Sequence, residues 1–390
     1  MPKNIVILFD GTSNEIAADR TNILRLYGTL EKSARQLVWY DPGVGTLGVT
    51  RSWLRYWRKA TEIFGMLTGW GIDDNVKEAY QFLVENHVRA VDTATNAPLF
   101  DHIHIFGFSR GAYSARVLAG LIHAVGLLEP RNSNLIDYAY RAYKRIDDDR
   151  EAANNPSLDE VRLYQRILRP IYPPVRLLGL FDTVASVIES GRYLPQLTTS
   201  AFTTTNRSVQ SIRHAVAMDE RRTMFRALLW PDGQAFHSPI TGRDGAQDLR
   251  EVWFCGVHGD VGGGFPEMES GLAKIPLRWM IEQTTPLGLH FDAPAVQNVV
   301  LDPDMFTRRT PPDWRGTAHN SMNWAWAILE FLPRRRPKDS QRPSVLGWCI
   351  PWFEPRPIPP GSRIHRSVLD RIQAGGATPP NLPADYRTEG

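Results

Sequence analysis

The fold is decided by one stretch of the sequence, residues 102–125, which reads HIHIFGFSRGAYSARVLAGLIHAV. It begins with HIHIF, which predicts a buried strand of a parallel sheet. Its second half is rich in Ala, Leu and Val and predicts a helix to about Val125, and the next residue, Gly126, suits a helix C-cap. Between the two lies Gly-Phe-Ser-Arg-Gly, residues 107–111, which matches the pattern Gly-x-Ser-x-Gly.

The setting of this pattern predicts a nucleophile elbow, a sharp strand-to-helix turn that exposes a serine. Ser109 is then the candidate nucleophile. Gly107 and Gly111 flank it because side chains at those positions would clash with neighbouring backbone. The N-terminus of the following helix would face negative charge that develops on a substrate. The alternative is a glycine-rich strand-to-helix turn with an incidental serine.

Other apolar runs alternate with helical segments along the chain. Such alternation favours a parallel sheet with right-handed crossovers. We therefore expect an α/β fold of the α/β-hydrolase type, with a mostly parallel sheet flanked by helices and with helical and loop insertions. The predicted strands are IVILF at 5–9, LVWY at 37–40, VRLLGLF at 175–181 and EVWFCGV at 251–257.

A single domain is expected over residues 1–373. Two stretches interrupt the alternation and predict insertions: residues 127–170, which are charged and helical in character, and residues 185–250, which are polar. Residues 320–360 are rich in aromatic residues and proline. The Gly/Pro-rich tail, residues 374–390, is expected to be loose.

A nucleophilic serine needs a histidine base, and the histidine needs an orienting carboxylate. Asp182 directly follows the strand 175–181, and His258 directly follows the strand 251–257. Function collects at the carboxyl ends of strands in open α/β sheets, and the chain order Ser, acid, His is that of α/β-hydrolases. We therefore predict a triad of Ser109, Asp182 and His258. A turn-forming aspartate and a packed turn histidine are the alternatives for the last two.

Other histidines compete for the role of base. His365 also comes late enough in the chain and is the runner-up. Two histidines lie inside the predicted strand that precedes the serine, and His214 lies in a predicted helix, residues 214–222. Position at a strand end favours His258 over all of them.

The oxyanion hole is expected to consist of two backbone N–H groups. One belongs to the residue after the nucleophile, Arg110. The other comes from the loop after the strand 5–9, where Gly11 and Thr12 are the candidates. The alternative for that loop is a plain strand-to-helix turn.

A metal site could in principle use Asp10, Asp182, His258 and Asp260, because carboxylates and imidazoles bind divalent cations. No tight spacing of ligands supports such a site. Because triad chemistry needs no ion, we predict neither a metal nor a cofactor.

Composition excludes several classes of protein. The chain has 390 residues and a formal net charge of +3, without the basic excess of a nucleic-acid-binding protein. Its 2 cysteines exclude a disulfide scaffold. The N-terminal apolar run is too short for a signal peptide, and no stretch approaches the ~20 apolar residues of a transmembrane helix. We therefore expect a cytoplasmic location in the producing cell.

A set of ordered motifs resembles one family. The motifs are FDGT at 9–12, YDPGVGT at 40–46, FGFSRGAYSAR at 106–116, GLFDTVASV at 179–187, HAVAMDERR at 214–222 and GVHGDVGGGF at 256–265. Together they resemble the Tle1-type phospholipase effector family, an uncharacterised α/β-hydrolase domain family in which some members are type VI secretion lipase effectors. RIHRSVLDRI at 363–372 is similar to the usual end of the family's domain.

The resemblance implies a function as well as a fold. Ser109, Asp182 and His258 match the family's triad, and the implied activity is ester hydrolysis, of phospholipase A type in characterised members. The implied partner is a lipid or ester substrate, and delivery by a secretion system is a further implication. A small-ester esterase or thioesterase is the runner-up. A non-catalytic protein that binds a partner through the same cleft is the alternative from another class.

Two aromatic stretches have the composition of a surface for peripheral membrane contact. Trp53 and Trp57 lie in the Arg-rich stretch 51–70, which follows a strand-end loop and is expected to form a lid or rim over the catalytic face. The second stretch, 324–332, is followed by Arg334–Arg336. Aromatic rings beside cations suit the boundary between lipid head groups and acyl chains. The alternative is a pair of helices that pack tryptophan into the core.

The lid hypothesis predicts a substrate-dependent defect. Trp53→Ala combined with Trp57→Ala should slow hydrolysis of liposomal phospholipid far more than hydrolysis of a soluble short-chain ester, because only the former needs interfacial contact. The two initial rates are measured side by side. Equal loss on both substrates together with a lower melting temperature would instead indicate a core role.

Overall fold

The structure is a computed structural model. It describes residues 2–11, 20–43, 71–91, 98–146, 157–184, 188–190, 195–197, 200–238, 241–302, 310–337 and 340–390.

Eight parallel strands form the central sheet. In chain order they are β1 (Asn4–Phe9), β2 (Gln36–Asp41), β3 (His102–Phe108), β4 (Val175–Phe181), β5 (Val209–Ala217), β6 (Asp248–Phe254), β7 (Ser362–His365) and β8 (Tyr386–Glu389). The order across the sheet is β8-β7-β6-β5-β4-β3-β1-β2. The predicted α/β architecture with a mostly parallel sheet is confirmed.

The direction of winding reverses beside β1, because β2 lies on one side of it and β3 on the other. Such a reversal opens a crevice outside the carboxyl ends of the strands. β3 and β4 are neighbours in register over most of their length, with Phe108 opposite Phe181 at their ends. The residues that follow these strands therefore meet at one edge of the sheet.

Helices cover both faces of the sheet. They are α1 (Asn22–Thr29), α2 (Ile72–Asn86), α3 (Arg110–Val125), α4 (Ile136–Lys144), α5 (Ser157–Leu168), α6 (His258–Gly262), α7 (Gly271–Thr284), α8 (Ala293–Val296), α9 (Trp324–Glu330) and α10 (Arg366–Gln373). Among the described residues, no helix combines the length and apolar character needed to cross a membrane.

Shorter elements connect this framework. Within the described residues, 3-10 helices span Pro130–Leu135, Thr223–Phe225, Glu267–Glu269 and Thr285–Leu287, and a π-helix spans Gln297–Leu301. In the same part of the chain, two-stranded ladders pair Arg89–Val91 with Pro98–Phe100, Ile188–Ser190 with Pro195–Leu197, Ala235–His237 with Asp244–Ala246, and Arg334–Arg335 with Trp348–Cys349.

Alternate side chains of β1 pack into the core on opposite faces of the sheet. Ile5 and Ile7 pack with side chains of α2 and α3, whereas Val6 and Leu8 pack with side chains of α1 and α7 on the other face. A strand that is buried on both faces reads as a continuous apolar run, since successive side chains point to opposite faces. This is why IVILF is apolar throughout.

The predicted helix over residues 214–222 is wrong, because residues 209–217 form the central strand β5. The polar side chains that obscured the strand are paired across the sheet. His214 Nδ1 lies 2.7 Å from a Glu251 carboxylate oxygen, and Arg213 donates to Asp248 at 2.6 Å. The stretch 185–250 therefore carries a core strand and is not only an insertion.

The tail beyond residue 374 is not loose, since residues 386–389 form the edge strand β8 on β7. Tyr386 and Leu382 pack against a core cluster centred on Trp253. Asn381 donates to the carbonyl oxygens of Met218 and Arg356 at 2.9 Å each. Long-range pairing of this kind is invisible to a composition rich in Gly and Pro.

Deletion of residues 375–390 should destabilise the protein by about 2 kcal/mol or more, because it exposes the edge of β7 and removes the partly buried Leu382 and Tyr386. Urea unfolding of the full and shortened chains measures the difference. An unchanged unfolding midpoint would show that the tail contributes nothing to stability.

Candidate active site

Ser109 occupies a strained turn between β3 and α3. Its φ is +59°, a left-handed value that is uncommon for a residue with a side chain. A Cβ on Gly107 would clash with the backbone of Gly111, and a Cβ on Gly111 would clash with the carbonyl oxygens of Phe9 and Asp10. The two glycines therefore allow the backbone approach that this turn requires.

Ser109, His258 and Asp182 form a continuous hydrogen-bonded chain. The distance from His258 Nε2 to Ser109 Oγ is 2.8 Å, and that from His258 Nδ1 to an Asp182 carboxylate oxygen is 2.5 Å. All three residues are buried. With Nδ1–H donating to Asp182, Nε2 is left to accept the hydroxyl proton of Ser109. This order of groups can move a proton from a hydroxyl to an imidazole while a carboxylate stabilises the resulting cation.

Two aromatic rings enclose the imidazole of His258. The Phe108 ring centroid lies 4.7 Å from it, and the Phe225 ring meets it edge-on at 5.0 Å. Burial lowers the pKa of His258 below its ordinary value, although the hydrogen bond and charge of Asp182 act in the opposite direction. The imidazole is therefore held in the neutral form that can act as a base.

The two terminal guanidinium nitrogens of Arg356 donate hydrogen bonds of 2.6 and 3.0 Å to the two carboxylate oxygens of Asp182. Arg356 also donates to the carbonyl oxygens of Ala217 and Phe225. Burial would raise the pKa of Asp182, but the charge of Arg356 and then the hydrogen bond from His258 outweigh burial and hold that pKa well below its ordinary value. Asp182 therefore stays ionised.

Sequence reasoning missed Arg356, which lies in the Pro-rich segment Glu354-Pro355-Arg356-Pro357, 174 residues beyond Asp182. No local pattern distinguishes this arginine from the others. A buried guanidinium paired bidentately with a carboxylate is recognised only from the structure, because the two partners come from separate elements.

Glu220 and Asp260 support the segment that carries His258. Glu220 accepts the backbone N–H of His258 at 3.3 Å and pairs with Arg222. Asp260 accepts the N–H of Val257 at 3.0 Å and binds His319 Nδ1 at 2.6 Å. Both carboxylates are thus engaged by protein donors, which fixes the start of α6.

The alternative metal ligands are also engaged within the protein. Asp10 accepts the Thr21 hydroxyl at 2.6 Å and the Tyr40 hydroxyl at 2.8 Å. In the part of the chain that the structure describes, no group of three or more His, Cys, Asp or Glu side chains is arranged to hold a metal ion.

The candidate oxyanion donors have different surroundings. Arg110 is the first residue of α3, so its backbone N–H lies at the N-terminal end of that helix. The N–H of Gly11 donates to the carboxylate of Asp10 at 2.6 Å. Thr12, Trp53 and Trp57 lie outside the described residues.

His365, the runner-up base, is not brought to Ser109. It ends β7, where its Nδ1 lies 2.8 Å from the Ser367 hydroxyl and its ring stacks on Phe254 at 4.6 Å. His258 occupies the place beside Ser109, because β6 lies closer to the centre of the sheet than β7 does.

Comparison with known proteins gives several similarities. Residues 3–283 match the family model described as "T6SS, Phospholipase effector Tle1-like, catalytic domain". An uncharacterized protein of Saccharomyces cerevisiae is 33% identical over 241 residues, which cover 58% of this chain and 32% of that protein. The chain thus matches about a third of the length of this relative.

Two solved structures are similar at lower identity. An uncharacterized protein from Pseudomonas aeruginosa has a TM-score of 0.41 and 18% identity, over 80% of this chain and 49% of that one. A Tle1 effector bound to the VgrG spike of the type 6 secretion system has a TM-score of 0.37 and 19% identity, over 70% of this chain and 52% of that one.

The family model covers most of the chain, including the elbow at Ser109 and both strand ends that carry Asp182 and His258. The chain therefore belongs to the family of Tle1-like catalytic domains of type VI secretion phospholipase effectors.

Proposed function

We propose that the protein is a serine hydrolase that cleaves carboxylic ester bonds of phospholipids. The observation that carries this proposal is the hydrogen-bonded chain from Ser109 through His258 to Asp182. Membership of a family of phospholipase effector catalytic domains supports a lipid ester as the substrate class.

In the proposed acylation step, Ser109 Oγ attacks the ester carbonyl carbon while its proton passes to His258 Nε2. The oxygen that becomes negative faces the N-terminus of α3, where the Arg110 N–H is the proposed donor. His258 then gives the proton to the leaving alkoxide as the carbon–oxygen bond breaks. This leaves an acyl-Ser109 intermediate and releases the alcohol, which for a phospholipid is a lysophospholipid.

In the proposed deacylation step, a water molecule attacks the acyl group in the way that Ser109 Oγ attacked the ester. His258 removes a proton from the water as its oxygen attacks the acyl carbon, and it returns that proton to Ser109 Oγ when the fatty acid leaves. Asp182 stays a carboxylate throughout and stabilises the imidazolium, a role supported by its lowered pKa. The surrounding rings of Phe108 and Phe225 support a partly dehydrated site, in which such charges interact more strongly.

Ser109→Ala should reduce hydrolysis of a phospholipid and of a p-nitrophenyl ester by about a thousandfold or more, because the nucleophile is lost. Ser133→Ala, on the 3-10 helix 130–135 away from the site, is the matched control and should retain full activity. Labelling with a fluorophosphonate should modify Ser109 in the wild type. Wild-type activity in a folded Ser109→Ala protein would place the nucleophile elsewhere.

The charge of Arg356 predicts a pH effect. Because Arg356 and His258 bind the same carboxylate, we expect the cation of Arg356 to oppose protonation of His258, so Arg356→Met should raise the pKa of His258. A base that is protonated at higher pH moves the acidic limb of kcat/KM to higher pH.

Arg356→Lys retains a positive charge and is the matched control, so its acidic limb should stay near that of the wild type. If Arg356 only holds the fold, both variants should lose activity equally at every pH with no displacement of the limb. The kcat/KM profile on a soluble ester distinguishes the two outcomes.

A further inference from the structure

Exposed apolar side chains are concentrated in one part of the protein. Among the described residues, fourteen large hydrophobic side chains are exposed, and nine of these lie between residues 324 and 352. They are Trp324, Ile328, Phe331, Leu332, Val345, Leu346, Trp348, Ile350 and Trp352. We call the described residues between 324 and 352 the apolar surface. Such concentration marks an interaction site, since apolar patches of this kind are rare on a free protein surface.

The apolar surface is one continuous structure. Phe331, just after α9, meets the Trp352 ring edge-on at 5.1 Å. The Trp352 N–H donates to the Glu330 carbonyl oxygen at 3.2 Å. The ladder that pairs residues 334–335 with 348–349 joins the two ends of the hairpin between them. The helix and the hairpin therefore present their exposed side chains together.

A two-residue turn beside this ladder forms an apolar tip. Val345 and Trp348 exchange two backbone hydrogen bonds of 2.9 Å, which leaves Leu346 and Gly347 as the two turn residues. Both have positive φ, which defines a type I′ turn. Asn or Gly is usual at the first of these positions, but here it holds a leucine that is 96% exposed, beside a valine that is 77% exposed. The turn therefore exposes two neighbouring apolar side chains, which could insert among the acyl chains of a bilayer.

Charge on the apolar surface is positive. Arg335 and Arg336 are exposed, and Arg342 lies nearby on the hairpin with its guanidinium bound to the Pro351 and Trp352 carbonyl oxygens. Among the described residues of 324–352, the one acidic side chain, Glu330, is fully buried and accepts from Thr223. Exposed cations beside exposed tryptophans complement the anionic head groups of a bilayer.

The apolar surface adjoins the candidate active site. Trp326, on the inner side of α9, packs edge-on against Phe225 at 5.3 Å, and Phe225 packs against His258 at 5.0 Å. Glu330 holds Thr223, two residues before Phe225, by two hydrogen bonds. A membrane bound on the outer side of α9 would therefore lie beside the site.

We propose that the apolar surface docks the protein on the face of an anionic phospholipid bilayer, with Val345 and Leu346 inserted below the head groups and Arg335 at their level. This inference rests on the proposed function, because the docked surface would present lipid to Ser109. It names the physical partner of that site as an assembled bilayer rather than dispersed lipid.

The test uses vesicles of ether-linked phosphatidylcholine, with or without ether-linked phosphatidylglycerol, because these lipids have no ester to cleave. Co-sedimentation of the full chain measures binding. Leu346→Asn with Val345→Thr removes the apolar tip while Asn suits the positive φ of the turn. This variant should bind about tenfold more weakly. Arg335→Gln should bind phosphatidylglycerol vesicles about fivefold more weakly and phosphatidylcholine vesicles unchanged.

The matched control is Leu163→Asn with Ile167→Thr, which removes exposed apolar side chains from α5, outside the apolar surface. It should bind vesicles as the wild type does. Wild-type binding by the Leu346→Asn, Val345→Thr protein would overturn the proposal. Absence of vesicle binding together with a dimer that this variant loses, seen by sedimentation velocity, would overturn it in favour of self-association.

These variants distinguish a failure of vesicle binding from a failure of ester hydrolysis. Ser109→Ala should bind ether-lipid vesicles as the wild type does, and the tip variant should hydrolyse a soluble short-chain ester at the wild-type rate. If the wild-type protein binds vesicles but hydrolyses no ester, the proposed function is refuted and the docking proposal is not. If the wild-type protein hydrolyses a soluble ester but does not bind vesicles, the docking proposal is refuted and the proposed function is not.

Discussion

The buried carboxylate of Asp182 is the constraint on which the rest of the site depends. A fully buried charge is costly unless donors surround it, and here Arg356, His258 and the Ala217 N–H all bind it. These donors come from the end of β5, the start of α6 and the C-terminal third of the chain. One carboxylate thereby holds three distant segments together and orients the imidazole that faces Ser109.

Arg356 extends the site beyond the part of the chain that the family model matches. That match ends at residue 283, whereas the cation that pairs with Asp182 is Arg356, well beyond the end of the match. The segment around Arg356 is itself fixed by Asn381, and the tail that contains Asn381 ends in the edge strand β8. The electrostatics of the site therefore depend on the C-terminal residues as well as on the matched domain.

The sheet gives Ser109 its strained turn. β3 lies beside β1, and the carbonyl oxygens that end β1 leave no room for a side chain at Gly111. The N–H of Ser109 is held by the Phe181 carbonyl oxygen at 3.1 Å, so the end of β4 fixes the turn from the other side. Packing on both sides stabilises a backbone conformation that an isolated peptide would avoid.

The sequence by itself determined the parallel sheet, the elbow at Ser109 and the strand ends that carry Asp182 and His258. Apolar periodicity and flanking glycines are local, and chain order limits which strand ends can meet. Only the tertiary structure decided that His214 lies in a strand, that the tail completes the sheet and that Arg356 binds Asp182. These features depend on pairing between residues far apart in the chain, and the free energy of such pairing leaves no mark on the local pattern.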